Sequence, residues 1–235
     1  MKIKGSIALI TGANRGLGAA FARGLLAAGA AKVYAAARNP STVTVPGVVP
    51  VQLDVTQPDQ VAALARELKD VTLLVNNAGI FEPGPTLMPA SVDALRRQFE
   101  TNVVGPLRLV QAFAPVVAAN GGGAVVNMLS VLSWLTLANV SGAYSASKAA
   151  AWALSNAVRQ ELAAQQTEVL SVHAAFIDTD MARGVPGQKL APEEVVEQAL
   201  AALEAGRREV LVDPTTRHVH AGLVAEPPVY VGTGA

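Results

Sequence analysis

Seven short apolar runs recur from one end of this 235-residue chain to the other, and a helical stretch lies between most successive pairs. The runs are 6–10, 32–37, 48–53, 71–75, 124–128, 169–176 and 209–212. They show little alternation of apolar and polar residues, so both faces of each need cover. That is the condition of a parallel sheet clothed by helices on two sides. Helical patterns occupy 16–28, 58–68, 91–119, 142–164 and 192–205, with a bend expected at Gly105-Pro106. No linker or repeat interrupts the alternation. The expectation is one doubly wound α/β domain over 1–235, with about seven strands and helices on both faces. The Pro- and Gly-rich end, 226–235, is expected to be mobile or to dock on a neighbour.

Composition narrows the function classes. Eighteen basic residues balance 18 acidic ones, a poor footing for nucleic acid binding. There is no cysteine, which excludes disulfides, thiolate catalysis and cysteine-ligated zinc. His218-Val-His220 would put two imidazoles on one face of a strand, yet nothing nearby completes a metal site, and none is expected. No unbroken apolar stretch reads as a bilayer span, and the N-terminal segment lacks a signal-peptide pattern. The expected setting is the cytoplasm.

The first apolar run flows into "LITGANRGLG", residues 9–18. In a doubly wound sheet, ligands bind beyond the carboxyl ends of the strands. Gly12, Gly16 and Gly18 would let backbone approach a pyrophosphate at the N-terminus of the following helix. A tight strand–helix turn with no ligand fits the same residues. After the second run the sequence is "VYAAARNP", with no acid for a ribose 2′-hydroxyl but with Arg38. Arg15 lies inside the glycine turn. Two guanidiniums suit a 2′-phosphate, which favours NADP(H) over NAD(H).

"GAYSASKAAAWAL" sets Tyr144 and Lys148 four residues apart, one above the other on a helix face. A phenol beside an ammonium can exchange protons near neutral pH, although the pair alone also suits a weak surface contact. Together, "TGANRGLG", "NNAG" at 76–79, Asn102, Ser130 and "YSASK" resemble the short-chain dehydrogenase/reductase family over nearly the whole chain. The resemblance implies a Rossmann-type fold and hydride transfer between a nicotinamide and a carbonyl or alcohol.

It also implies roles. Ser130, 14 residues before Tyr144 and one more than the commonest family spacing, hydrogen-bonds the substrate carbonyl. Ser133 competes for that role. Tyr144 exchanges the proton and also contacts the coenzyme, Lys148 binds the nicotinamide ribose and tunes the tyrosine, and the backbone of Asn102 holds a relay water. Asn14 and Leu17 belong to the pyrophosphate turn; Asp54 meets the adenine amino group, with Val55 beside it. Asn76 supports sheet and cofactor, Ala78 and Gly79 admit the ribose, and Ile177 and Thr179 hold the nicotinamide segment. Ala174-Ala175 stands where the family usually has Pro-Gly, which puts nicotinamide placement in question. Trp134, Leu135, Phe81 and Met181 are expected at the mouth of the pocket, and 179–192 as a lid with glycine hinges. These imply an apolar aldehyde, ketone or secondary alcohol, and helices 91–119 and 142–164 imply a homodimer or homotetramer. The rival readings are a sugar-nucleotide epimerase or dehydratase, which usually has a larger C-terminal domain, and a catalytically silent NADP-binding regulator.

Overall fold

The computed structural model describes residues 1–231; 232–235, the end of the Pro/Gly-rich tail, lie outside the described residues. Seven strands form one parallel sheet: β1 (Ile7–Thr11), β2 (Lys32–Ala37), β3 (Val49–Gln52), β4 (Leu73–Asn76), β5 (Gly123–Met128), β6 (Thr167–His173) and β7 (Glu209–Leu211). Their spatial order is β3-β2-β1-β4-β5-β6-β7, so the order reverses between β1 and β4, where a doubly wound sheet opens its ligand crevice. β3 carries Pro50, which cannot donate to a ladder and is tolerated because this strand lies at the edge.

Within each central strand, successive residues serve opposite cores. Ala8 and Ile10 of β1, with Leu73 and Val75 of β4, pack against α1 (Gly16–Ala27) and α6 (Pro192–Glu204) through Phe21, Leu25, Val195 and Leu203. Leu9 and Leu74 face the other way, into a core shared with α2 (Pro58–Glu67), α4 (Gly105–Ala119) and α5 (Gly142–Leu162). Burial on both faces is what the unalternating sequence demanded.

The stretch expected as one bent helix is three pieces: α3 (Ser91–Phe99), a π-helical turn at Glu100–Val104, and α4. Close packing fixes where α4 begins. A Cβ on Gly105 would lie 2.9 Å from Val55 Cγ2. By length and mean hydropathy (1.3), Ser91–Ala119 would pass as a bilayer span, unlike the reading from sequence. Here Leu109, Val110, Phe113 and Val117 are buried in the core shared with α2 and α5.

β6 ends at His173 rather than 176, and one helix escaped the sequence pattern: α7 (Pro214–Ala221), capped by Asp213 Oδ1, which accepts from Thr216 N at 2.7 Å. His218 and His220 therefore lie on a helix, not a strand, and two residues apart on a helix they do not share a face.

Candidate active site

Parallel strands put all their carboxyl ends on one edge, and there a cleft of about 1340 Å³ opens. The glycine turn forms one wall. Gly16 adopts φ +52°, a left-handed conformation that favours glycine, and opens α1. A Cβ on Gly18 would stand 2.2 Å from the carbonyl oxygen of Gly12, so any side chain there would break the turn. No side chain caps the N-terminus of α1, leaving its first-turn N–H groups for a ligand. Asn77 Nδ2 donates to Thr11 O at 2.8 Å and Gly12 O at 3.2 Å, and Ala78 N donates to Thr11 Oγ1 at 3.0 Å. These bonds tie the end of β4 to the turn across the point where strand order reverses.

Gly12, Asn14, Leu17, Asp54, Val55, Ala78, Gly79, Ile177 and Thr179 all line this cleft. Asp54 Oδ1 is committed to its own turn, accepting from Thr56 N at 2.9 Å and Thr56 Oγ1 at 2.7 Å. Arg15 and Arg38 are exposed on the cleft wall, Arg38 just past β2. Arg15 is ion-paired with Asp180, which also holds Arg183, and the two guanidiniums keep the Asp180 carboxyl below its usual range. Asn76 is a correction: it does not line the cleft. Its side chain turns under the sheet, where Nδ2 donates to Asn127 Oδ1 at 2.9 Å.

Ser130, Tyr144 and Lys148 come together in the same cleft. The start of α5 is pinned: Leu137 N donates to Ser141 Oγ at 2.7 Å, and the Oγ atoms of Ser141 and Ser145 lie 3.0 Å apart. One helical turn then stacks Tyr144 and Lys148 on the cleft side. Phe81 meets the tyrosine ring edge-on at 5.0 Å. Burial pushes the Tyr144 phenol up to about 12, against the pull of a hydrogen bond with Ser130. Burial likewise pushes Lys148 down to about 8. This differs from the expected acidified phenol. Lys148 Nζ donates to Met128 O at 2.8 Å and stands 5.6 Å from the centre of the tyrosine ring, so desolvation outweighs its charge. Ser133, the competing serine, is buried and off the cleft.

Asn102 sits in the π-helical turn, also off the cleft. Its Oδ1 accepts from Ile80 N at 2.9 Å, and its Nδ2 donates to Ile80 O and Ser147 Oγ, both at 3.0 Å. It lines a small pocket of about 30 Å³ with Asn76, Asn127, Ser155 and Lys148, and Lys148 borders both this pocket and the cleft. That volume is enough for one water, with five polar side chains set among a mostly apolar lining that includes Val103, Leu107 and Val158.

Trp134 and Leu135 are a second correction. They pack with Trp152 and Val219 behind the site rather than at its mouth. Phe81 and Met181 do line the mouth, joined by Leu137, Val140, Phe176 and Val185, which the sequence reading had not singled out. All lie in loops after β4, β5 and β6, where a parallel sheet places its ligand contacts. The lid is closed at its base: Asp178 N donates to Leu190 O at 2.8 Å and Leu190 N to Phe176 O at 2.9 Å. Ala174 and Ala175 have no left-handed φ, and Ala175 N donates to Asp213 Oδ2 at 2.8 Å. The turn therefore forms without glycine's freedom, anchored by an aspartate.

Comparison with known proteins agrees with this geometry. The short chain dehydrogenase family model matches residues 6–189. A cis-4-hydroxycyclohexanecarboxylate dehydrogenase from Sinomonas cyclohexanicum is 33% identical over 88% of this chain and 92% of its own. A 3-oxoacyl-[acyl-carrier-protein] reductase from Salmonella typhimurium is 30% identical over 95% and 99%. Among solved structures, a short-chain dehydrogenase from Burkholderia cenocepacia in complex with NADP superposes with a TM-score of 0.92 at 42% identity, covering 97% of both chains. A Burkholderia phymatum relative in complex with NAD gives 0.81 at 27% identity over 95% of each. The family model spans most of the chain, and relatives at 30% identity or more cover nearly all of it: the chain belongs to the short-chain dehydrogenase/reductase family and is an NAD(P)-dependent oxidoreductase acting on CH–OH groups.

Proposed function

We propose that the protein is an NADP(H)-preferring reductase of apolar aldehydes and ketones, running in reverse on secondary alcohols. The observation that carries this reading is a single cleft with two exposed guanidiniums on its wall, Ser130, Tyr144 and Lys148 within it, and an apolar mouth. The residues fit the coenzyme: Gly18 packs so close to Gly12 that the turn stays tight at the cleft, and the uncapped start of α1 suits a pyrophosphate. Arg15 and Arg38 would grip the 2′-phosphate, and Asp54, Val55, Ala78, Gly79, Ile177 and Thr179 would border the rest. When bound, the nicotinamide supplies the hydride or takes it back.

The chain's own groups handle the oxygen. Ser130 Oγ accepts from Leu132 N at 3.1 Å, which leaves its own proton available for a substrate oxygen. Tyr144 donates the proton as charge develops on that oxygen, and accepts it in the oxidative direction. Lys148 and Asn102 line the same small pocket beside the cleft, so a water held between them would replace the tyrosine's proton through the lysine.

The substrate reading rests on the mouth. Phe81, Leu137, Val140, Phe176 and Met181 are apolar. Two of its cations are spent on neighbours, Arg97 on Glu82 at 2.6 Å and Arg183 on Asp180. A neutral carbonyl suits this lining better than an anion. Exposed Ala146, Ala153 and Ala157 along α5 offer a flat face for pairing with a second copy.

The test is the fall in reduced-nicotinamide absorbance with a carbonyl panel that includes cyclic ketones and 3-oxoacyl thioesters. Turnover of neutral ketones with NADPH well ahead of NADH, lost in Tyr144→Phe, is expected. Coenzyme binding with no turnover on any member would instead mark a silent regulator.

A further inference from the structure

Among the described residues, His173 is the one wholly buried titratable group that takes no part in the proposed mechanism: none of its surface is exposed. It is the last residue of β6, and its Nδ1 lies 3.2 Å from the backbone carbonyl oxygen of Ser130. A carbonyl only accepts, so Nδ1 must carry the proton. The ring is fixed from three other sides. Trp134 stacks on it at 4.2 Å and 18°. Trp152 meets it edge-on at 6.5 Å. Glu209 Oε1 stands 3.6 Å from Nε2 and is itself held by Trp152 Nε1 at 2.7 Å.

Ser130 needs such support. The last ladder pair between β5 and β6 is Met128 with Val172, so the serine lies just past the sheet. Its carbonyl accepts from Ser133 N at 3.0 Å and from the imidazole, while its hydroxyl accepts from Leu132 N. Two donors on the carbonyl, together with Val131 N donating to Ala174 O at 2.9 Å from the same peptide, fix the peptide plane and so help set where Oγ stands beside Tyr144. The histidine directly precedes Ala174-Ala175, a turn with neither proline nor glycine whose Ala175 N donates to Asp213 Oδ2 at 2.8 Å.

We infer that His173, backed by Glu209, is a positioning residue that holds the reactive serine through its backbone carbonyl. The inference rests on Ser130 acting on substrate oxygen, as proposed above. The experiment compares His173→Leu, His173→Asn and His173→Gln with wild type, using whichever carbonyl and coenzyme wild type turns over. Asparagine keeps a donor at the δ position; glutamine moves it to the ε position.

In His173→Leu, kcat is expected to fall by about 10- to 100-fold. KM and coenzyme Kd should stay within about twofold, and the deuterium isotope effect from 4-labelled reduced coenzyme should rise. Asparagine should restore most of kcat, and glutamine should not. Equal kcat in all four proteins overturns the inference. So does a parallel loss of kcat, coenzyme binding and Tm that asparagine fails to repair. Imidazole ¹⁵N shifts of wild type, assigned with the asparagine variant, read the clamp without turnover. A bare Nδ1 would overturn it even if no tested carbonyl reacts, whereas a protonated Nδ1 in an inert protein would count against the proposed function alone.

Discussion

Tyr144 and Lys148 present opposite problems to the same low-dielectric pocket. Burial resists ionising the phenol and resists keeping the ammonium, which is why one stands at about 12 and the other at about 8. The proton donor for reduction is thus present at any ordinary pH, and the weaker point is the lysine. A group whose value is lowered keeps its charge below that value and loses it above. Because kcat/KM for the coenzyme reports the free enzyme, it is expected to be level up to about pH 7 and to decline as pH rises through about 8. A profile flat to pH 10 would show that the ammonium is not needed for binding. Tyr144→Phe removes the donor outright and should cost about 10²- to 10⁴-fold in kcat. Ser130→Ala removes only a hydrogen bond to the developing oxyanion and should cost about 10²- to 10³-fold. Neither should alter coenzyme affinity measured by nicotinamide fluorescence more than a few-fold, since both act on the substrate oxygen.

Short β7 carries an interaction with consequences for the whole fold. Glu209 is held at about 2 against its ordinary 4.5, mainly by His173, with Trp152 and Arg159 adding to the effect and burial opposing it. A depressed carboxyl contributes stability that is fully present above about 4.5 and lost as pH falls toward 2. Glu209→Gln should therefore flatten the acid limb of the stability curve between those values, by about 1–3 kcal/mol, while leaving urea m-values unchanged. An acid limb identical to wild type would show that the carboxylate contributes nothing to folding. The same element shows what a sequence can reveal. Residues 209–212 were legible as a strand because Val210, Leu211 and Val212 are apolar and lie at the end of a strand–helix alternation. α7 was not legible, since "PTTRHVHA" has one buried apolar residue, Val219, and too little periodicity to register. The cleft residues were legible wherever chemistry demands a residue type, as at Gly18, Tyr144 and Lys148. Trp134 and Asn76 misled because an aromatic or amide next to a motif has the same letter whether it faces ligand or core. The clamp on Ser130 was invisible because His173 meets it from 43 residues away.

At the scale of the molecule, the coenzyme is the one ligand whose proposed contacts span β1, β2, β4 and β6, so its binding should stabilise the entire domain rather than one loop. Free energy of binding adds to the folded state as RT ln(1 + [L]/Kd), about 2.7 kcal/mol at a hundredfold excess over Kd. In a domain of this size each kcal/mol moves Tm by about 2–4 °C, so NADPH at that excess should raise Tm by about 5–10 °C. The difference between the two coenzymes isolates the guanidiniums. Each charged hydrogen bond to a phosphate is worth about 1.5–3 kcal/mol, but Arg15 must first leave Asp180, an exposed pair of small worth. NADH at the same concentration should therefore shift Tm by several degrees less. Arg15→Ala with Arg38→Ala should erase that difference by lowering the NADPH shift while leaving the NADH shift in place. Asp180→Ala should widen it, because Arg15 would then be free for the phosphate before the coenzyme arrives. If NADH shifts Tm as far as NADPH in the unaltered protein, the two arginines are solvated surface charges, and the coenzyme preference proposed here is wrong while the assignment to an NAD(P)-dependent family stands.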